Sequence, residues 1–212
     1  MVKVKICGIT SVRDALECVR LGADFIGTIV EVPVATPRKI SADLAKGIHR
    51  SLPLLALGVV VMMPQTIKEA LHMTEEIRPY AIQLHGNENI EFVKKLREKL
   101  ETKIIKTIHV QDESAIEDAR EYSKYCDAIL LDTMTEELGG SGITHDWEIS
   151  RKIVKSVDRP VILAGGLNPE NVKEAIEKVC PYAVDVSSGV ESKEGRKDYD
   201  KVERFIENVG GA

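Results

Sequence analysis

Val2-Lys3-Val4-Lys5-Ile6-Cys7-Gly8 opens the chain, and its alternation decides more about the fold than any other stretch. Read as a strand, it puts Val2, Val4 and Ile6 on one face and Lys3, Lys5 and Cys7 on the other. The first face suits packing against helices. The second carries lysine stems and ends in a thiol, just before a glycine turn. A strand with helices outside and a small interior inside needs this division, because a lysine stem can run up such an interior toward its mouth.

The same grammar repeats along the 212 residues. Extended apolar segments fall near 2–7, 25–30, 56–62, 81–85, 103–108, 127–132, 160–164 and 182–187. Amphipathic stretches near 11–22, 41–51, 65–77, 89–101, 113–124, 147–156, 169–179 and 198–209 separate them. Strand and helix alternating at intervals on the order of 25 residues is parallel βαβ architecture. Eight such units predict an α/β fold, a single (β/α)8 TIM barrel. An open doubly wound sheet is the competing layout, which alternation alone does not exclude; the first strand favours the barrel. No proline- or serine-rich linker divides the chain, so residues 1–212 read as one catalytic domain. Helix starts carry their signals: Ser11 with Asp14 resembles a capping box, Ser41 sits at a cap position, and Asn168-Pro169 places a capping side chain before a first-turn proline.

Composition narrows the partners. Hydrophobic residues make up 43% and charged residues 30%, an ordinary balance for a globular chain, and the net charge of −5 offers no basic field to nucleic acid or an anionic membrane. An anionic ligand would need local donors. Val2 to Gly8 is broken by lysines and does not read as a secretory segment, and the longest apolar run, Leu54 to Met63, is interrupted by Gly58 and suits a buried strand. Cys7, Cys18, Cys126 and Cys180 show no paired spacing, so free thiols in a cytoplasmic protein are expected rather than disulfides or zinc.

The chemistry-bearing residues cluster at predicted strand ends. Cys7 closes the first strand and Asp132 closes Ile129-Leu130-Leu131-Asp132-Thr133. A cysteine there is either a small buried hydrophobe or a proton acceptor; for the latter its thiol, normally near 8.5, needs a cation nearby, and Lys5 on the same face is the candidate. Asp132 is either a paired structural aspartate or a partly desolvated acid with a raised pKa. The loop Leu138-Gly139-Gly140-Ser141-Gly142-Ile143-Thr144 is a lid or a plain connector. Two later turns, Ala164-Gly165-Gly166-Leu167-Asn168-Pro169 and Asp185-Val186-Ser187-Ser188-Gly189-Val190-Glu191, follow the last two strands. Phosphate is recurrently bound there in barrels, by close backbone approach, hydroxyls and the N–H groups of a helix begun at Pro169. Asp185 shares its face with Ser187 and so points toward the mouth. Arg38 is a solvated loop arginine or a bidentate carboxylate clamp, and His85 a satisfied core histidine or a mouth residue. His49, His72 and His109 lack metal-ligand spacing and receive no role.

Taken in order, several motifs together resemble the phosphoribosylanthranilate isomerase family. They are Lys5-Ile6-Cys7-Gly8-Ile9-Thr10, Gln83-Leu84-His85-Gly86, Leu130-Leu131-Asp132-Thr133, Gly139-Gly140-Ser141-Gly142 with Asp146-Trp147, Gly165-Gly166-Leu167-Asn168-Pro169-Glu170-Asn171-Val172 and Val184-Asp185-Val186-Ser187-Ser188-Gly189-Val190-Glu191. The resemblance spans nearly the whole chain. It implies a cofactor-free, metal-free Amadori rearrangement in tryptophan biosynthesis, with a phosphorylated small molecule as the partner of a monomer or homodimer. It implies Asp132 as general acid at the furanose oxygen and Cys7 as general base at sugar carbon two. It implies Arg38 at the anthranilate carboxylate, Asp185 at the anthranilate amine, and Gly142, Gly165, Gly166, Ser188 and Gly189 around the phosphate; His85 and Ser187, at strand ends, are read beside them as substrate-binding residues. The second loop, Gly27 to Ala35, lacks the family's usual aromatic residues. A related barrel isomerase for another phosphorylated aminosugar, or a silent phosphate-binding barrel, are the competing readings.

Overall fold

The structure is a computed structural model and describes residues 1–133 and 146–211. In chain order the elements are β1 (Lys3–Ile6), α1 (Val12–Leu21), β2 (Phe25–Val30), β3 (Lys39–Ile40), α2 (Ala42–Ser51), β4 (Leu57–Met62), α3 (Ile67–Ile77), β5 (Ala81–Leu84) and α4 (Ile90–Arg97). They continue with β6 (Lys103–Val110), α5 (Ser114–Ser123), β7 (Ala128–Thr133), α6 (Trp147–Ser156), β8 (Val161–Leu163), α7 (Val172–Val179), β9 (Ala183–Val186), β10 (Glu191–Lys193), β11 (Arg196–Lys197) and α8 (Tyr199–Gly210).

Parallel pairing runs β1-β9-β8-β7-β6-β5-β4-β2, and β1 pairs again with β2 to close the ring. Closure is set by register: Lys5 stands opposite Phe25 on one side and Asp185 on the other. The predicted barrel is therefore the observed one, with eight α-helices around eight barrel strands among the described residues. Two short features were not foreseen. β3 lies along β2 at Ile29 and Val30, beyond the point where β1 ends. β10 and β11 form an antiparallel hairpin after the last barrel strand.

Alternation sorts the side chains as the first strand suggested. Val4 and Ile6 join the apolar layer between strands and helices, whereas Lys5 turns inward and is 1% exposed. A separate, smaller cluster fills the lower interior: Val59, Ala81, Ile105, Leu130, Ile162 and Ala183. Mostly small and β-branched side chains fill this narrow space.

Caps fix where helices begin. Ser11 accepts the Asp14 N–H and Ser41 the Leu44 N–H, as expected. Asp14 does not complete the box; its carboxylate accepts the Tyr199 hydroxyl at 2.7 Å and ties α1 to α8. The helix expected from Pro169 starts one turn later. Asn168 Oδ1 takes the N–H groups of Glu170 and Asn171, and Asn171 Oδ1 takes that of Asn168. Regular helix begins only at Val172. No helix of the described residues is long and apolar enough to cross a membrane.

Candidate active site

A cavity of about 890 Å³, counting space open to solvent, occupies the C-terminal mouth of the barrel. Its wall includes Cys7, Arg38, His85, Asp132, Gly165, Gly166, Asp185, Ser187 and Ser188. Residues spread over most of the sequence thus meet at one site, because parallel strands all deliver their C-terminal ends to the same face.

β1 supplies the thiol and a cation beneath it. Lys5 Nζ donates to Asp185 Oδ2 at 2.9 Å, and both side chains are almost fully buried. A Cβ on Gly27 would stand 2.8 Å from Cys7 Sγ and 3.1 Å from Lys5 Nζ, so thiol and ammonium crowd the same point of the interior. Burial pulls the Lys5 ammonium down, but Asp185 and Cys7 outweigh it and hold it above the usual lysine value. Burial pushes the Cys7 thiol up and Asp185 adds to this, while Lys5 and Lys197 pull it back without restoring it. The sequence placed Lys5 correctly as the cation acting on Cys7. Breaking the Lys5–Asp185 pair from one side would cost roughly 3–5 kcal/mol, since it leaves a buried charge alone.

β7 delivers the acid. Burial and then the neighbouring Asp185 raise the Asp132 carboxyl to about 6, against the Thr133 N–H and Lys5, which lower it. His85 Nε2 lies 3.7 Å from Asp132 Oδ2. That contact is not an ion pair at neutral pH: burial, followed by His109, Lys106 and Lys5, drives His85 down to about 3. The imidazole is neutral and is held by Thr107 Oγ1 at 3.2 Å from Nδ1. A carboxyl raised toward neutrality and a thiol flanked by an ammonium thus stand in one cavity, the kind of perturbed pair that proton transfer requires.

The last two strands end in the backbone-rich wall. Gly165 and Gly166 adopt φ of +84° and +68°, which other residues rarely reach, and a Cβ on Gly165 would meet Thr133 Oγ1 at 2.3 Å. Gly8, with φ +70°, has a similar duty: a Cβ there would strike Ser187 Oγ at 2.7 Å and Arg38 Cδ at 2.9 Å. Asp185 Oδ1, Ser187 Oγ and Gln83 Oε1 are buried without a partner among the described residues. Buried polar atoms seldom lack partners, so three at one mouth mark a surface made for a polar ligand. No group of three His, Cys, Asp or Glu side chains among the described residues could hold a metal ion.

The profile of the N-(5'phosphoribosyl)anthranilate (PRA) isomerase family matches residues 4–208. The chain belongs to this family. An N-(5'-phosphoribosyl)anthranilate isomerase of Methanocella arvoryzae is 51% identical over 210 residues, covering 99% of this chain and 98% of that one. The crystal structure of phosphoribosyl anthranilate isomerase from Thermotoga maritima superposes with a TM-score of 0.90 at 43% identity, covering all of both chains. A second solved phosphoribosyl anthranilate isomerase, in complex with reduced 1-(o-carboxyphenylamino)-1-deoxyribulose 5-phosphate, is 40% identical with a TM-score of 0.86, again over all of both chains.

Set against the PRA isomerase motifs, most of the sequence-derived site residues share the mouth. Gly189 does not line it; a Cβ there would lie 2.0 Å from the Leu167 carbonyl oxygen, so it serves contact between the two glycine turns. Where a helix start facing phosphate was expected, the N–H groups of Asn168, Glu170 and Asn171 are instead taken by the side chains of Asn171 and Asn168. Gly142 and the loop around it lie outside the described residues. Sequence reasoning missed Gln83, whose inward position two residues before His85 was available from alternation alone. It also missed the apolar wall of Ile29, Val32, Val34 and Met63.

Proposed function

We propose that Asp132 and Cys7 carry out the family's reaction as general acid and general base, across a ligand held by its phosphate at one end and its carboxylate at the other. The activity is the isomerisation of N-(5'-phosphoribosyl)anthranilate to 1-(2-carboxyphenylamino)-1-deoxyribulose 5-phosphate in tryptophan biosynthesis. Asp132 gives a proton to the furanose oxygen, the ring C1–O bond breaks, and the anthranilate nitrogen becomes a Schiff base. Cys7 takes the proton from sugar carbon two, and the resulting enolamine tautomerises to the ketone. Gly165, Gly166, Ser187 and Ser188 hold the phosphate, with Gly142 the family's further phosphate-binding position, and Gly189 keeps the two turns together. Asp185 holds the amine, Arg38 the carboxylate, and His85 lies beside the acid. Phosphate and carboxylate far from the reacting carbons supply the binding energy that fixes the pose.

The observation that carries this reading is the presence of Cys7 and Asp132 in one cavity whose wall also holds the Gly165–Gly166 turn and both serines. We further read the chain as one catalytic domain acting in the cytoplasm without a cofactor, as a monomer or homodimer. One solved relative is described as dimeric, and the adjacent, exposed Leu54 and Leu55 offer a second copy an apolar patch. Expression in a tryptophan-requiring strain that lacks this isomerase tests the reading. The intact chain restores growth and Cys7→Ser does not; growth with neither, despite soluble protein, contradicts it.

A further inference from the structure

Glu191 opens the β10–β11 hairpin and has no role in the chemistry above, yet its carboxylate is among the most fully engaged in the molecule. Oε1 accepts from Arg38 Nε at 2.9 Å and from Lys197 Nζ at 3.0 Å. Oε2 accepts from Arg38 Nη2 at 2.7 Å and from the Gly195 N–H at 3.2 Å. The side chain is 4% exposed. Burial alone would push its carboxyl up, but Arg38 and Lys197 outweigh that and hold it below the usual glutamate range.

The edge of the guanidinium that Glu191 occupies is the informative detail. Nε and one N–H of Nη2 face Glu191. A guanidinium has five N–H donors in a fixed plane, so those of Nη1 and the second on Nη2 form a free edge turned away from Glu191. Arg38 is itself part of the cavity wall, and its stem lies against Gly8, directly after Cys7. Glu191 is shared between Arg38 and Lys197, and Glu194 adds a second negative charge near the Arg38 guanidinium. Arg38 belongs to a loop, and an arginine free to rotate loses rotamer entropy when a ligand fixes it. The hairpin that carries Glu191 is anchored independently: Thr10 Oγ1 donates to the Gly195 carbonyl, Lys201 Nζ to the Glu191 carbonyl, and Lys197 Nζ to the Ser187 carbonyl.

We propose that Glu191 is a positioning residue for carboxylate recognition: anchored by the β10–β11 hairpin, it holds one edge of Arg38 so that the other edge meets the ring carboxylate of the ligand. This rests on the reading of Arg38 as the carboxylate clamp. Lys197 keeps Glu191 ionised and, through Ser187, links the clamp to the phosphate end. The distance between the two ligand anchors is thereby set by a single buried network.

The test is calorimetric titration with reduced 1-(o-carboxyphenylamino)-1-deoxyribulose 5-phosphate and with the same compound lacking the ring carboxylate. Four proteins are compared: the natural chain, Glu191→Gln, Arg38→Met and the double variant, each checked for its melting temperature. The natural chain prefers the carboxylate-bearing ligand, Arg38→Met loses that preference, and Glu191→Gln reduces it by about tenfold. The double variant matches Arg38→Met, because Glu191 has nothing left to orient. In turnover, Glu191→Gln raises KM far more than it lowers kcat. Equal weakening of both ligands by Glu191→Gln, or a further loss of preference in the double variant, would make Glu191 a mere hairpin fastener and overturn the proposal. Loss of preference in Arg38→Met with none in Glu191→Gln overturns it alone; preference intact in Arg38→Met removes the clamp reading and the proposal together. Should the amide unfold the hairpin, Glu191→Asp keeps the charge at a shorter reach, and the same carboxylate-selective loss is expected.

Discussion

The lower and upper halves of the barrel interior are built from the same strands by opposite rules. On β5 the inward positions read Ala81, Gln83 and then His85; on β7 they read Ala128, Leu130 and Asp132; on β9 they read Ala183, Asp185 and Ser187. Each strand starts apolar and ends reactive. Below, the Val59–Ile105–Ile162 cluster is buried and wholly apolar. Above, an ion pair is sealed in, an acid is raised to about 6, and three polar atoms have no partner among the described residues. The bottom of the barrel supplies stability, and the mouth gives some of it up to hold groups whose pKa values and free donors suit a reaction.

The largest effects belong to the mouth. Cys7→Ser and Asp132→Asn should each lower turnover by about 10²–10⁴-fold while product-analogue affinity stays close to that of the natural chain. Near-normal turnover in either would end the acid–base assignment. The lower half is broken differently: Ile105→Ala should cost about 2–5 kcal/mol in denaturant unfolding and leave kcat almost unchanged at a temperature where the variant is folded. A loss of kcat without a loss of stability would show that the two halves are not separable.

The pH profile sharpens the comparison. The proposed mechanism needs Asp132 protonated and Cys7 deprotonated, yet burial raises the Asp132 carboxyl only to about 6 and pushes the thiol above its ordinary value. The productive form is then one arrangement of the singly protonated pair, and its population follows that pair. kcat/KM should climb as pH rises through about 6, level off, and fall only as the thiol ionises. Lys5 lowers the thiol, so Lys5→Met should move the alkaline limb upward and depress the plateau. A Cys7 titration unchanged by Lys5→Met removes that coupling. The smallest effect is at Gln83, whose Nε2 holds Thr107 while its Oε1 is unpartnered among the described residues. Gln83→Leu should alter stability by no more than about 1 kcal/mol, and a large destabilisation would place Gln83 in the structural half instead.

Much of this was legible in the sequence, for identifiable reasons. Alternation in Val2 to Gly8 sorts inward from outward residues because the strand repeat is two, and the barrel honours it at Lys5 and Cys7. Strand ends were found because apolar runs stop where chains reach the mouth. Two-residue strands such as β3 escaped because nothing local marks them; Lys39 and Ile40 pair only because β2 runs past the end of β1. The late start of α7 turned on which way two asparagine side chains fold back. The Arg38–Glu191 bridge joins residues 153 positions apart, and no spacing rule reaches that far.

A C2-deuterated substrate, turned over by Cys7→Ser and by Asp132→Asn in parallel, tests the division of labour most directly. With the base impaired, removal of the carbon-two proton limits the rate, and Cys7→Ser should show a full primary isotope effect. With the acid impaired, ring opening limits the rate, and Asp132→Asn should show an effect close to unity. Equal isotope effects in the two variants, or the reverse pattern, would contradict a sulfur and a carboxyl acting at different atoms of one sugar.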